Sequence, residues 1–547
     1  MGSAAGSTDA RAVTLASFIL RAAAEHPDAD AVVLAGERLT YEELARGASQ
    51  WACTLVRVGV RSGEHVGILL PNGTEFMQVL FGIALAGAVA VPLNARYRGQ
   101  ELAATVADAD LVVIVTSETD PQLSLADRLR EAFPDLSSTA DPAMLAVNAA
   151  PCLRSIVLSE GSAGPGFLRR DSVAAAAAAL PAAAIAERWQ CVRPGDTALI
   201  LYTSGSTSRP KGCMLSHSAV LTQGRLMAAR YGMSARDRIW SPVPMFHVGG
   251  ISPFIAIASA GGALLSMRRF EAGPALAMLA QERATIAYVL FQTIIADLLQ
   301  HADFAKSDLT SLRLMVSNPA LQPAWIRDRL LSDIPGAVHI GTFGLTETVG
   351  AACTHSPNDD APDRLQRLGQ ALPGVEIRVI GEDGCDLPAG ASGEILLRGP
   401  TACSGYYKDP LKTAAAMPDG WLRTGDRGSL DARGSIQFHG RLKDVLKVGG
   451  ENVGALEVEA VVGSHPAVKG CAVVGMADPR LVEVPIVFIE LRPGVSAAAD
   501  EILAFCADKL ASFKVPRRAY FVTEWPMSAT KIDKPALARR LATACAP

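Results

Sequence analysis

The chain has 547 residues, with 51 Lys and Arg against 55 Asp and Glu, and ten dispersed cysteines. That length exceeds a single hydrophobic core, and a net charge of −4 excludes a nucleic-acid field and a basic membrane patch. No CxxC pair occurs, so neither a zinc cluster nor a disulfide framework is expected, and the reading is of a cytoplasmic protein with reduced thiols. In chain order, residues 10–20 lack the apolar run of a signal peptide, and Gly6 stands where a myristoylation motif wants Ser or Thr. Residues 75–85 predict a helix. The most apolar segment, 79–91, is interrupted by Gly82 and Gly87 and stops at Pro92, well short of the roughly 20 residues of a bilayer span. A buried helix followed by a strand is predicted there, with no transmembrane segment. LVVIVT at 111–116 reads as a buried parallel strand, and the alanine-rich 174–186 as a surface helix broken at Pro181. A further buried strand covers 198–201, and a helical pattern begins near Ser218. Similar alternation recurs at 285–299 and 312–317, which predicts α/β sheets with helices on both faces. From 374 to 399 the period becomes two, with VEIRVI and GEILLRG separated by EDG and PAG turns, the mark of a hairpin-rich subdomain over about 374–440. After the charged turn at 440–444 come a helix (455–463), two strands (468–475, 485–491) and a helix (498–510). The expected organisation is a large domain, 1–440, and a small α+β domain, 441–547, with the hinge between them.

Five polar clusters carry the chemistry. The first, YTSGSTSRPKG at 202–212, follows a buried strand, and its hydroxyls and glycines cannot be core without partners. As a strand-to-helix loop it offers Thr203, Ser204, Gly205, Ser206, Thr207 and Lys211 to a phosphate. It is not a Walker loop, because Lys211 is followed by Gly212 rather than Ser or Thr. GTFGLTE at 341–347 sets an aromatic, a hydroxyl and a carboxylate after an apolar strand. Asp426 stands in GWLRTGD, Arg441 follows a strand, and Lys531 lies on the tail. Each also has a plain structural reading: Thr346-Glu347 as a helix start, Asp426 as a turn residue, Lys531 as a solvated lysine.

Taken together, YTSGSTSRPKG, FGLTE, GWLRTGD and GRLKDVLKVGGENV occur in the order found in the adenylate-forming superfamily, which includes acyl-CoA synthetases, firefly luciferase and nonribosomal-peptide adenylation domains. The chain resembles that superfamily over nearly its whole length, and TSRPKG is the form associated with its carnitine/crotonobetaine-CoA ligase-like branch. The resemblance implies ATP, Mg²⁺ and coenzyme A, and a carboxylic acid converted to acyl-AMP with release of pyrophosphate, then to a thioester. It assigns the first loop to the departing phosphates, Phe343 and Gly344 to adenine, Thr346 to the α-phosphate, Glu347 to Mg²⁺, Asp426 to the ribose hydroxyls, Arg441 to ribose and phosphate, and Lys531 to the charge forming at the α-phosphate. It makes the small domain mobile about Lys443, exchanging Lys531 for a CoA-side loop of Lys447, Gly449 and Gly450. Phe246, His247, Gly249, Gly250, Ser317, Asn318 and Gly341 would line the acyl pocket, with His247 as wall or gate. Three departures stand out: Ser208 for glycine, Val316-Ser317-Asn318-Pro319-Ala320 for a glycine-rich pocket segment, and no glycine directly before Lys531. No Arg or Lys lies within 241–256, which favours a neutral fatty, branched, alicyclic or aromatic acid over a dicarboxylate. A monomer or homodimer is expected. Two other readings stay open: a ligase that loads a separate carrier protein, and a non-catalytic nucleotide binder.

Overall fold

The computed structural model describes residues 14–118, 120, 122–138, 141–162, 164–203, 211–448, 451–528 and 531–544. Two large sheets organise the first domain. One runs in the order Gly405–Tyr406, Lys211–Ser216, Thr197–Thr203, Val89–Pro92, His65–Leu69, Leu111–Thr116, Ser155–Leu158, Leu168–Arg169, and is parallel from Thr197–Thr203 onward. The other runs Val338–Ile340, Leu314–Val316, Ile286–Tyr288, Arg238–Trp240, Ala263–Leu265, Asp30–Leu34, Glu37–Thr40, and is parallel except for the last hairpin. Alternation along the strands divides the core. Val113, Val115, Leu199 and Leu201 of the first sheet meet Val32, Leu264, Leu314 and Val316 of the second across a shared helical layer. Ile114 and Ile200 point to the opposite face of the first sheet, and Trp240 and Met315 to the outer face of the second.

The predicted buried helix is Thr74–Leu85, in that shared layer, and the strand after it is Val89–Pro92. The two glycines of the apolar run do different jobs. A Cβ on Gly82 would stand 2.6 Å from Trp51 Cβ, so it allows helix Tyr41–Arg57 to approach, while Gly87 takes φ +73° to turn the chain into the strand. The alanine-rich stretch is two helices, Arg170–Ala178 and Ala182–Gln190, interrupted at Pro181.

One local expectation is corrected. The chain leaves the phosphate loop as a second strand, Lys211–Ser216, antiparallel to the first with Thr203 opposite Lys211, and the helix begins only at His217. The chain therefore enters and leaves the loop through paired strands, and no helix follows the loop directly. Cys213 and Leu215 of the new strand bury in the shared layer, but Gly212 hides the alternation, being small to clear the Tyr202 ring 3.1 Å from where its Cβ would lie.

The hairpin-rich subdomain is an antiparallel sheet of Glu376–Ile380, Gly393–Arg398, Leu422–Leu430 and Ile436–Arg441. It ends at Arg441; a one-turn helix, Leu442–Asp444, leads to the next sheet at Val445. The small domain pairs Val468–Asp478 with Val482–Leu491 and packs Ala455–Gly463, Ala499–Ala507 and Lys534–Ala544 around them. A hairpin, Val445–Val448 with Glu451–Gly454, stands where the sequence suggested only a loop. Among the contacts that bind this domain to the large one, Lys469 Nζ lies 3.0 Å from Asp297 Oδ1, and the Arg492 guanidinium sits 4.5 Å above the Trp325 ring.

Candidate active site

The polar clusters follow the carboxyl ends of strands in both sheets, where open α/β folds bind ligands. Thr203 and Lys211 close the hairpin around the phosphate loop. Ser317 and Asn318 follow Leu314–Val316, Gly341 follows Val338–Ile340, and His247 lies beyond Arg238–Trp240.

Thr346 and Glu347 project from a tight turn. Gly344 is obligatory in it, since a Cβ would fall 1.8 Å from the Gly350 carbonyl oxygen, and the Thr348 hydroxyl accepts the Leu345 N–H at 3.0 Å to close the bend. The turn is a single 3-10 helix, Thr346–Thr348, so the helix-start alternative survives only as this short form. The Thr346 hydroxyl makes no hydrogen bond among the described residues and is free for a ligand. Glu347 accepts the Tyr406 hydroxyl at 2.8 Å on Oε1, and its backbone carbonyl accepts the Cys403 N–H at 2.8 Å. Lys211 Nζ stands 5.1 Å from the centroid of the same Tyr406 ring.

Asp426 lies on strand Leu422–Leu430, directly opposite Arg441, rather than in a turn; the tight feature is Gly425, at φ +67°. Arg441 Nε is 3.2 Å from Asp426 Oδ1, yet that buried oxygen has no hydrogen bond of acceptable geometry, so its acceptor capacity is unused. Burial raises the Asp426 carboxyl to about 6, against the pull of Arg441 and Lys531. Lys531 is an exposed residue by surface area. Removal from water, then the Arg441 charge, lowers its pKa, partly offset by Asp426. His247 feels the same lysine: burial and the Lys531 charge push it down to about 4. The tail lysine, the carboxylate and the histidine thus share one electrostatic site. Phe343 is buried against Phe438, ring centroids 5.9 Å apart, with 7% of its surface left open.

His247 caps helix Val248–Ala258, its Nδ1 accepting the Gly249 N–H at 3.1 Å. A neutral ring with Nδ1 so occupied carries its hydrogen on Nε2, which makes the free tip a donor. The segment before it is held by Asn72, which accepts the Met245 N–H at 2.7 Å and donates to the carbonyls of Val243 and Met267 at 3.3 and 3.1 Å. Phe246 is half-buried. A Cβ on Gly249 would lie 3.3 Å from Val243 Cγ1, a tight side-chain contact, but one on Gly250 would lie 2.3 Å from the Pro244 carbonyl oxygen, and one on Gly341 would lie 2.8 Å from that of Arg367. Close backbone crossings therefore account for the latter two glycines. Asn318, at φ +49°, accepts the Thr342 N–H at 2.7 Å, and Gly341 N–H donates to His355 Nδ1 at 3.2 Å. Ser317 is fully buried, its hydroxyl turned toward His339.

A family model described as AMP-binding enzyme matches residues 19–407, and one described as AMP-binding enzyme C-terminal domain matches 457–531. The chain belongs to the AMP-binding enzyme family. An indoleacetate–CoA ligase of Aromatoleum aromaticum is 31% identical over 94% of this chain and 95% of its own. A feruloyl-CoA synthase of an Amycolatopsis species is 30% identical over 96% and 99%. Among solved structures, the anthranilate CoA ligase AuaEII in complex with anthranoyl-AMP aligns with a TM-score of 0.83 at 28% identity, covering 97% of this chain and 98% of that one. The reaction class is that of the ATP-dependent acyl-CoA synthetases, acid–thiol ligases that use ATP, Mg²⁺ and CoA.

In this AMP-binding enzyme, Lys211, Glu347, Asp426, Arg441, His247 and Lys531 converge. Ser204, Gly205, Ser206, Thr207, Ser208, Gly449 and Gly450 lie outside the described residues, as does the side chain of Lys443, whose backbone is in the one-turn helix Leu442–Asp444. Lys447 sits in the strand before the paired glycines, its N–H donating to Glu483 at 2.8 Å. Sequence reasoning missed Tyr406, Asn72 and His355. Tyr406 and Asn72 act through partners more than fifty residues away, which no local spacing reveals, and His355 through Gly341, 14 residues before it. No helix among the described residues is long and apolar enough to cross a membrane.

Proposed function

We propose that this acyl-CoA synthetase activates an aromatic or alicyclic carboxylic acid, with one residue set for the nucleotide and another for the acid. The observation that carries the reading is the shared electrostatic site of Asp426, Arg441, Lys531 and His247. Asp426 Oδ1, buried without a hydrogen bond, accepts a ribose hydroxyl, and Phe343 meets adenine with the part of its ring left open. The Thr346 hydroxyl bonds the α-phosphate, and Thr203, Lys211 and the loop residues 204–207 hold the departing phosphates. Glu347 fits Mg²⁺: Oε2 has no partner among the described residues, and a carboxylate with phosphate and water oxygens is the set this hard ion takes. The ion, when bound, supplies charge neutralisation on the phosphates.

Attack of the substrate carboxylate at the α-phosphorus needs two like charges brought together. Lys531 offsets the charge that builds between them, aided by Arg441, with no covalent enzyme intermediate. The Nε2–H of His247 donates to the substrate carboxyl group and orients it. The second half reaction requires Lys531 to withdraw, with Lys443 at the pivot and the hairpin carrying Lys447, Gly449 and Gly450 brought to the thiol.

The acid is inferred from the character of the chain around His247. Val243, Met245, Val248 and Ile251 are buried and apolar, and no Arg or Lys within 241–256 awaits a second carboxylate. The named relatives' aromatic acids agree with a ring. The reading keeps a cytoplasmic monomer or homodimer, in line with nine described cysteines that are all free thiols. Acid-dependent ATP–pyrophosphate exchange across a panel of acids tests it. Benzoate, phenylacetate and cyclohexanecarboxylate should stimulate exchange, and CoA should then release AMP and thioester. Preference for malonate or an α-amino acid, or formation of ADP, would overturn it.

A further inference from the structure

Tyr406 touches two groups that the proposed mechanism needs at a fixed separation. Its hydroxyl donates to Glu347 Oε1 at 2.8 Å, and its ring carries Lys211 Nζ at 5.1 Å from the centroid, within cation–π range. The residue is 6% exposed and anchored in its own backbone. Strand Gly405–Tyr406 pairs with Lys211–Ser216, Tyr406 opposite Cys213, and Tyr406 N–H donates to the Thr413 hydroxyl at 2.9 Å. Next along the chain, the Tyr407 N–H donates to the Gly212 carbonyl at 2.8 Å, and Cys403 N–H holds the Glu347 carbonyl at 2.8 Å. One short segment, 403–407, therefore grips both the base of the phosphate loop and the turn that presents the carboxylate.

We propose that Tyr406 is a positioning residue that couples the phosphate-loop lysine to the metal-binding carboxylate, seating Lys211 on its ring and fixing Glu347 through its hydroxyl. With Oε1 occupied by the phenol, Oε2 is the oxygen left for Mg²⁺, and the carboxylate cannot rotate to place both oxygens on the ion. The ring meanwhile limits how far the Lys211 ammonium strays from the place where the phosphates would bind. Partners of this outer kind typically change metal affinity 10–100-fold when removed. The inference rests on the reading of Glu347 and Lys211 given above.

Its test separates the hydroxyl from the ring. Mn²⁺, as an EPR-visible substitute for Mg²⁺, is titrated into protein saturated with α,β-methylene-ATP, and nucleotide binding is measured separately without metal. Tyr406→Phe keeps the ring and should weaken Mn²⁺ binding about tenfold while leaving metal-free nucleotide affinity unchanged. Tyr406→Leu should lose both, the nucleotide affinity by a few-fold, as Lys211 is unseated. Combined with Glu347→Gln, Tyr406→Phe should weaken Mn²⁺ no further than Glu347→Gln alone. Wild-type Mn²⁺ affinity in Tyr406→Phe, or equal losses with and without metal, would overturn the inference. Pyrophosphate exchange by the unmutated protein reports on the ligase reading separately. Its absence alongside the expected Mn²⁺ pattern would remove that reading and leave Tyr406 as assigned. Failure of the unmutated protein to bind Mn²⁺ with the nucleotide would overturn both.

Discussion

Asp426 titrates close to the pH at which cells work. Burial lifts its carboxyl to about 6, so below that pH it is protonated and offers fewer acceptor sites to a ribose. Affinity for ATP should therefore fall as pH drops from 7 to 5, and Asp426→Asn should bind weakly with a flat profile. Calorimetric titration at several pH values checks this; an unchanged slope in the variant would assign the titration elsewhere. Buried titratable groups bear on stability as well. His217, His247 and His339 are pushed by burial to about 4, so their contribution is complete above about 6.5 and is lost as pH falls toward 4. His355 and His439 are lowered as well. Asp426 and Glu75 (raised by burial to about 7) act in the opposite sense, destabilising the fold as pH rises through those values. Over this range the three histidines held near 4 outweigh the two raised carboxyls, so urea unfolding should show lower stability at pH 5 than at pH 7. None of this is legible in sequence, because each shift comes from what surrounds the residue in space.

At the scale of elements, the sequence was readable where one face was buried in a regular pattern. Helix Thr74–Leu85, strand Leu111–Thr116 and the hairpin of Glu376–Ile380 with Gly393–Arg398 fall where periodicity puts them. Strand Lys211–Ser216 escaped because Lys211 and Gly212 serve the loop and the Tyr202 ring rather than a sheet face. The hairpin at 445–454 escaped because its apolar positions find their partners across the small-domain core, in helix Ala455–Gly463 and strands Val468–Asp478 and Val482–Leu491. Of the candidate site, the motif residues were legible through the resemblance, while Tyr406 and Asn72 were not, since their roles exist only through contacts across the fold. The turn bearing Glu347 gives a sharp prediction. Gly344→Ala would drive a methyl into the Gly350 carbonyl, so the turn must open. Overpacking of this kind costs about 1–3 kcal/mol of stability. Adenylation should fall far more than the melting temperature suggests, because Thr346 and Glu347 ride on that turn. Exchange assays paired with thermal unfolding decide this, and a fully active Gly344→Ala protein would show that the turn does not position them.

For the whole molecule, the arrangement described has the tail lysine on the nucleotide side. The contacts of Lys469 with Asp297 and of Arg492 with Trp325 bridge the two domains in this arrangement, and a swing of the small domain is expected to part them. A partly exposed ion pair contributes about 0–1 kcal/mol and an exposed cation–π contact about 0.5–1 kcal/mol. Together they bias the domain equilibrium by roughly tenfold, enough to tune it and too little to lock it. Asp297→Asn with Trp325→Ala should slow adenylation several-fold while sparing thioester formation from supplied acyl-AMP. Equal slowing of both steps would mean that the contacts serve stability alone.

The central claim, that Lys531 drives adenylation and must leave before the thiol arrives, is tested by measuring the two half reactions separately in Lys531→Ala and Lys443→Pro. Loss of one well-placed cation costs about 3 kcal/mol of barrier, so Lys531→Ala should slow pyrophosphate exchange on the order of a hundredfold and largely spare CoA transfer from synthetic acyl-AMP. Proline at 443 fixes φ at the pivot, so Lys443→Pro should keep exchange and lose transfer. Loss of both halves to the same extent in both variants would contradict the account.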